Sequence, residues 1–139
     1  MSKHTKLFTL PIRVYFQDTD AGGVVYHASY LNFMERARTE WMRSFGFSNA
    51  GLMKELGVVF VVRSLKLDYL KPALLDDLLT VSAQLKAIGR SRVTLHQIMM
   101  RGDEILVECE IHLVSIALDT FKPVSVPQVL RDQWKTLVG

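Results

Sequence analysis

The sequence predicts an α+β fold in which an antiparallel sheet curls round one long central helix. Two observations carry this: a helix with a wide apolar face lies near the start of the chain, and four stretches of period-two alternation follow it. Such a helix must bury its stripe, and the sheet is the only large apolar surface available to it. At 139 residues, 49% apolar and 22% charged, the chain suits a single domain over residues 1–139 with a substantial core.

Phe8 to Phe16 reads as a strand, with Ile12, Val14 and Phe16 on one face and Arg13 and Tyr15 on the other. Gly22 and Gly23 can take positive φ, so the chain reverses there into a helix starting at His27 or Ala28. Along it Tyr30, Phe33, Met34, Ala37, Trp41 and Phe45 recur at helical spacing, Glu35, Arg36, Arg38 and Arg43 fall on the other side, and Gly46 is the stop. A shorter helix follows, capped by Ser48 or Asn49, burying Leu52, Met53 and Leu56 and ended by Gly57. The period then changes to two. Leu65, Leu67 and Tyr69 alternate with Lys66 and Asp68, and Leu79, Val81, Ala83, Leu85 and Ala87 alternate with Thr80, Ser82, Gln84 and Lys86. Val93 to Met100 and Ile105 to Ala117 complete the set, joined by the hairpin signal Arg101-Gly-Asp-Glu104. Pro127 to Leu137 is a short amphipathic helix, with Pro in its first turn and Val129, Leu130 and Trp134 on one face. The open sheet edge is expected to be closed by another subunit in a symmetric oligomer.

The formal charge of +3 and the pI near 9.1 favour an anionic partner over a cationic one. Arg and Lys are scattered rather than collected in a block, which argues against nucleic-acid binding. Apolar runs such as Leu56 to Val62 fall far short of the roughly 20 residues of a membrane-spanning helix. Met1 to Leu10 lacks an apolar h-region and a small-residue cleavage site, so the expected compartment is the cytoplasm. The lone Cys109 cannot form an internal disulfide, which agrees with a reducing compartment, and its register with Val107 and Ile111 makes it core. His112 shares a face with Glu108 and Glu110 and reads as solvated; His4 sits in a terminal tail.

The chemistry concentrates in Asp18-Thr-Asp-Ala-Gly-Gly-Val-Val-Tyr-His-Ala-Ser-Tyr30, where two carboxylates lead through two glycines into the long helix. A carboxylate is a competent nucleophile or general base, and the free N–H groups of a helix N-terminus can hold the oxygen of an attacked carbonyl. A thioester suits that pair, since a thiol of pKa about 8.5 leaves readily without a metal Lewis acid. Asp20 also has a plainer reading as the cap of a turn, and Asp18 reads as part of the strand-to-turn hydrogen bonding. The His27 imidazole can be a base, a positioning group or a polar residue in a first helical turn. A metal held by His27, Asp18 and Asp20 lacks a ligand-spacing signature, and none is expected.

The Asp18 to Tyr30 segment, together with Glu-Arg-Ala-Arg at 35–38 and Phe-Val-Val-Arg at 60–63, resembles the YbgC-type, Tol-Pal-associated acyl-CoA thioesterases of the hot-dog fold, in the 4-hydroxybenzoyl-CoA thioesterase group. The resemblance covers roughly residues 7 to 125. It implies hydrolysis of an acyl-CoA to a free acid and CoA without metal or redox cofactor, in a homotetramer or other homo-oligomer with sites between subunits. By position, Asp20 matches the family's catalytic aspartate and the His27 main-chain N–H its carbonyl-polarising donor. The substrate contacts expected are Gly23, Val25, Tyr26, Tyr30, Arg63, Arg90 and Ser91. Gly89-Arg-Ser-Arg92 can bring cations and a hydroxyl to CoA phosphates, or be an ordinary charged hairpin; Arg63 lies at a subunit contact or near the nucleotide. The resemblance also implies acyl carrier protein as a further partner, since some members of the family associate with it, and is compatible with peripheral contact with the inner membrane. The alternatives are a hydroxyacyl-thioester dehydratase, for which no His-carboxylate pair is recognisable, and a non-catalytic adaptor for acyl carrier protein or envelope proteins.

Overall fold

The computed structural model describes residues 7–137. Five strands, β1 (Phe8–Arg13), β2 (Val58–Tyr69), β3 (Leu78–Ile88), β4 (Arg92–Arg101) and β5 (Glu104–Ala117), form one antiparallel sheet in the order β1-β3-β4-β5-β2. The long helix α1 (His27–Arg43) packs on one face of it, followed by the short helix α2 (Asn49–Gly51, continued as a wider turn over Leu52–Leu56) and closed by α3 (Gln128–Trp134). This is the expected order of elements. His4 lies outside the described residues.

The interior is built from the apolar stripe of α1 and the inward residues of the strands. Tyr30, Phe33, Met34, Ala37 and Trp41 are buried, as their spacing predicts, against Leu79, Val81, Ala83, Leu95, Met99 and Ile111. Cys109 is core, and burial pushes its thiol pKa up, the nearby Arg38 pulling the other way. At the far end of α1 the two tryptophans of the chain stack, Trp41 on Trp134, with ring centroids 5.0 Å apart, so α3 is sealed onto the core. One polar tie crosses this interior: the fully buried Gln97 donates to the Met34 carbonyl (3.0 Å) and the Ser82 carbonyl (3.1 Å), and its Oε1 accepts from Arg38 (3.1 Å). A satisfied buried amide of this kind pins the height of α1 over β3 and β4.

Several boundaries and faces differ from the expectation. β1 stops at Arg13 because the Asp18 carboxylate accepts the Tyr15 N–H at 2.8 Å and folds Phe16–Asp18 into a tight turn, leaving Phe16 79% exposed rather than inward. Arg38 is half-buried and reaches under the sheet, not out on the polar side. In the short helix Ser48 is the cap, accepting the Gly51 N–H at 3.0 Å, and Gly57 ends it at φ +64°, but Met53 and Leu56 are exposed. β2 begins at Val58, and Leu65 and Tyr69 are exposed because β2 is the last strand of the sheet and has a neighbour on one side only. A bulge between Leu85 and Ala87 turns Ala87 outward. Pro127 precedes α3 rather than joining its first turn, and Val129 is exposed while Leu130 and Trp134 are buried. His112 is partly exposed and bonded at 3.1 Å to both Glu110 and Thr94.

Phe33 is fully buried at the centre of the α1 stripe. Phe33→Ala is expected to cost about 3–5 kcal/mol, read as a lowered midpoint in urea unfolding.

Candidate active site

The Asp18 to Tyr30 segment is tied into the rim of the sheet before it becomes a helix. Thr19 pairs with Val25 and Val24 with Leu74, and within this loop the Asp20 N–H donates to Val24 O (3.0 Å) and the Gly23 N–H to Asp20 O (3.1 Å). Gly23 sits at φ +78°, where a side chain would be strained, and its carbonyl accepts the Leu75 N–H at 2.9 Å. The buried Val25 donates to Ala73 O at 3.0 Å. The Asp18 carboxylate is consumed by the turn before the loop. The Asp20 carboxylate is exposed, and only its Oδ1 is engaged, by the Gly22 N–H at 2.9 Å.

The helix opens directly behind this loop. Tyr26 is the extended residue ahead of α1 and supplies no side-chain cap. The N–H groups of His27 and Ala28 meet no acceptor among the described residues, so the positive end of the α1 dipole faces the hollow. The Tyr30 hydroxyl, buried one turn on, accepts the Ala73 N–H at 3.0 Å and fixes the helix start to the 70–77 loop. Tyr69, the last residue of β2, meets the His27 ring edge-on at 4.9 Å and the Tyr30 ring at 5.2 Å.

These residues enclose a cavity of about 370 Å³ lined by Asp20, Val25, Tyr26, His27, Tyr30 and Tyr69, with Val24 and Leu70–Pro72 completing its wall. An open carboxylate and an uncapped helix N-terminus thus share one small hollow. Its outer loop is held by charge: Lys71 pairs with Glu104 at 2.7 Å, and Arg101 bonds Asp77 at 2.7 Å and Glu104 at 3.0 Å. Lys71 first, then Arg101, hold the Glu104 carboxyl below its ordinary pKa.

The structure gathers Asp20, Val25, Tyr26, His27 and Tyr30 around one cavity, with Gly23 shaping its loop. It does not bring the other three sequence candidates there within one chain. Arg63 falls at a bulge midway along β2. Arg90 and Ser91 lie at the opposite end of the sheet, where their carbonyls accept from Val126 (2.7 Å) and Ser115 (2.8 Å). Near that end is a larger hollow, about 930 Å³, lined among others by Met53, Leu56, Val58, Leu118 and Val129. It is mostly apolar and is lined by neither Asp20 nor the start of α1. Tyr69 and Lys71 are site residues that sequence reasoning missed. An aromatic ending an alternating strand was the one available signal, and only the fold reveals that it lands on a helix start 42 residues earlier.

Known proteins resemble this chain along most of its length. A model of the thioesterase superfamily fits residues 22–108, a stretch that includes His27 and begins two residues after Asp20. The chain belongs to the thioesterase superfamily. Among thioesterase relatives, the acyl-CoA thioesterase YbgC of Haemophilus influenzae is 41% identical over 124 residues, covering 89% of this chain and 91% of that one. The acyl-CoA thioester hydrolase YbgC of Escherichia coli is 43% identical over 133 residues, 95% of this chain and 98% of that one. A solved probable thioesterase from Bartonella henselae superposes with a TM-score of 0.83 at 35% identity, covering 87% of this chain and 99% of its own. The hot-dog fold and the YbgC-type resemblance expected from the sequence are therefore borne out.

Tyr30→Phe leaves the buried Ala73 N–H without its acceptor and is expected to cost about 1–3 kcal/mol, measured by thermal unfolding. The Glu104 contribution to stability is present above the ordinary carboxylate range and is lost as pH falls through the depressed value. The difference in urea midpoint between wild type and Glu104→Gln should therefore shrink to nothing on acidification.

Proposed function

We propose that this chain hydrolyses acyl-CoA thioesters to a free acid and CoA, with Asp20 as nucleophile or general base and the His27 main-chain N–H as oxyanion donor. The observation that carries this is the shared hollow: a carboxylate with one unengaged oxygen faces the same space as the free N–H groups that open α1. The thioester carbonyl oxygen sits against the His27 N–H, where negative charge developing in the tetrahedral intermediate meets a fixed donor and the helix dipole. Asp20, or a water it deprotonates, attacks the carbonyl carbon, and the intermediate collapses by expelling the CoA thiolate. In the direct route the resulting anhydride is then opened by water. Action on acyl-CoA is supported by the acyl-CoA thioesterase and thioester hydrolase relatives that are identical to this chain at over two-fifths of the aligned positions.

The proposal extends to assembly and setting. β2 leaves a long apolar sheet edge open, with Val61, Val62 and Leu65 exposed, and pairing with a second β2 removes it. An antiparallel pair across that edge brings the Val58 end of one chain beside the Tyr69 end of the other, so Arg90, Ser91 and the larger hollow approach the partner's Asp20. A homotetramer assembled from such dimers, working in the cytoplasm on acyl-CoA, with acyl carrier protein and the Tol-Pal system as associated partners, is the fullest form of the reading. No helix among the described residues is long and apolar enough to cross a membrane.

Asp20→Asn, compared with wild type at equal folding, is expected to lower thiol release from acyl-CoAs by about 100-fold or more. Unchanged turnover in that variant removes Asp20 from its role. Loss of substrate without release of thiol assigns the chain to dehydration instead.

A further inference from the structure

Arg38 is a half-buried cation with too few partners. One guanidinium nitrogen donates to Gln97 Oε1 at 3.1 Å, and among the described residues Arg38 forms no ion pair. Gln97 is neutral and spends its own N–H groups on two carbonyls, so it cannot balance the charge. Burial pulls the Arg38 pKa down, Cys109 and Glu35 offsetting part of it. A desolvated guanidinium with unmet donors calls for a carboxylate.

Glu35 stands one turn earlier on α1, exposed and without an ion pair of its own among the described residues. Both side chains line two adjoining hollows, about 290 Å³ each, in the seam between α1 and β2, and both hollows also touch Val62. Val62 borders the bulge before Ser64, which is the midpoint of β2. A two-fold axis through this point has a simple consequence. It pairs β2 with β2 end for end and sets α1 antiparallel to its copy, and where the axis also passes between Glu35 and Arg38, whose hollows both touch Val62, each Glu35 faces the other chain's Arg38. The surface is self-complementary in charge as well as open in hydrogen bonding.

We propose that Glu35 of one chain bonds Arg38 of a second copy, twice across a two-fold axis, and that this pair of ion pairs fixes the register in which two β2 edges meet. It rests on the dimer proposed above. The register matters because a slip by two residues moves the Val58 end away from the partner's Asp20 cavity.

Mixing experiments separate a contact between chains from one within a chain. E35R places two cations opposite two cations in a homodimer, and R38E two carboxylates opposite two carboxylates; the mixture restores both pairs. Each variant alone should dimerise on the order of 100-fold more weakly than wild type in sedimentation equilibrium. Mixed, with one mass-labelled, they should form heterodimer well beyond the statistical half in native mass spectrometry. If R38E does not fold, as judged by circular dichroism, R38M keeps the volume and E35R with R38M must still favour the heterodimer. A monomeric wild type, undiminished E35R dimers or statistical mixing overturns the proposal. Wild-type dimers that obey these rules yet release no thiol would instead overturn the thioesterase reading and leave this one standing.

Discussion

Everything in this fold depends on burying the apolar stripe of α1. A 17-residue helix lying on a sheet fixes more than stability. Because Phe33, Met34 and Ala37 are seated and the Gln97 side chain holds the Met34 carbonyl, the helix can neither slide nor roll, and its first turn is delivered to one spot on the rim. The candidate site is made there from a helix end without a cap, a loop closed on itself at Gly22 and Gly23, and a carboxylate that spends only its Oδ1 on that closure. The Tyr30 hydroxyl bond to Ala73 then ties helix, loop and rim together. The rigid part of the molecule thus positions groups whose own hydrogen bonding is incomplete, a division of labour that favours a site over a mere turn.

Much of this was legible in the sequence because it is local. The 3.6 period of α1, the change to period two after Gly57, the Gly57 and Gly46 stops and the Asp18 to Tyr30 motif each depend on neighbours within a few residues. What the sequence hid depends on distant pairing. Phe16 continued the alternation of β1 on paper, yet a carboxylate two residues on captured the Tyr15 N–H and turned the chain. Met53, Leu56, Leu65 and Val129 are apolar but exposed, because which strand ends at the edge, and which helix face meets solvent, is decided by topology. Arg38 shows the same limit from the polar side, since its burial follows from Gln97, a residue on another element whose polarity gave no warning. At the site, Asp20 and His27 are seven residues apart and were readable together, whereas Tyr69 joins them only through the return of β2.

The charges follow a similar logic. Around the 70–77 loop, Lys71, Arg101, Asp77 and Glu104 form a network of alternating sign that keeps the cavity wall in place, the Lys71–Glu104 pair in water and the Arg101–Asp77 pair partly buried. Under the sheet, Arg38 is held by a neutral amide and forms no ion pair among the described residues, with Glu35 one turn away offsetting only part of the cost of its burial.

The stacked Trp41 and Trp134 give the protein an internal optical probe. These are its two indoles, both fully buried in the same patch, and neither Nε1 has a hydrogen-bond partner among the described residues. Their emission therefore belongs to one dry environment at the seam of α1 and α3, about 21 Å along α1 from His27. Tryptophan emission of this molecule reads the docking of its C-terminal helix, whereas the cavity at the other end is lined by tyrosines and holds no indole. A red shift during unfolding marks α3 leaving the core, and a ligand entering beside Asp20 has to be followed by another signal.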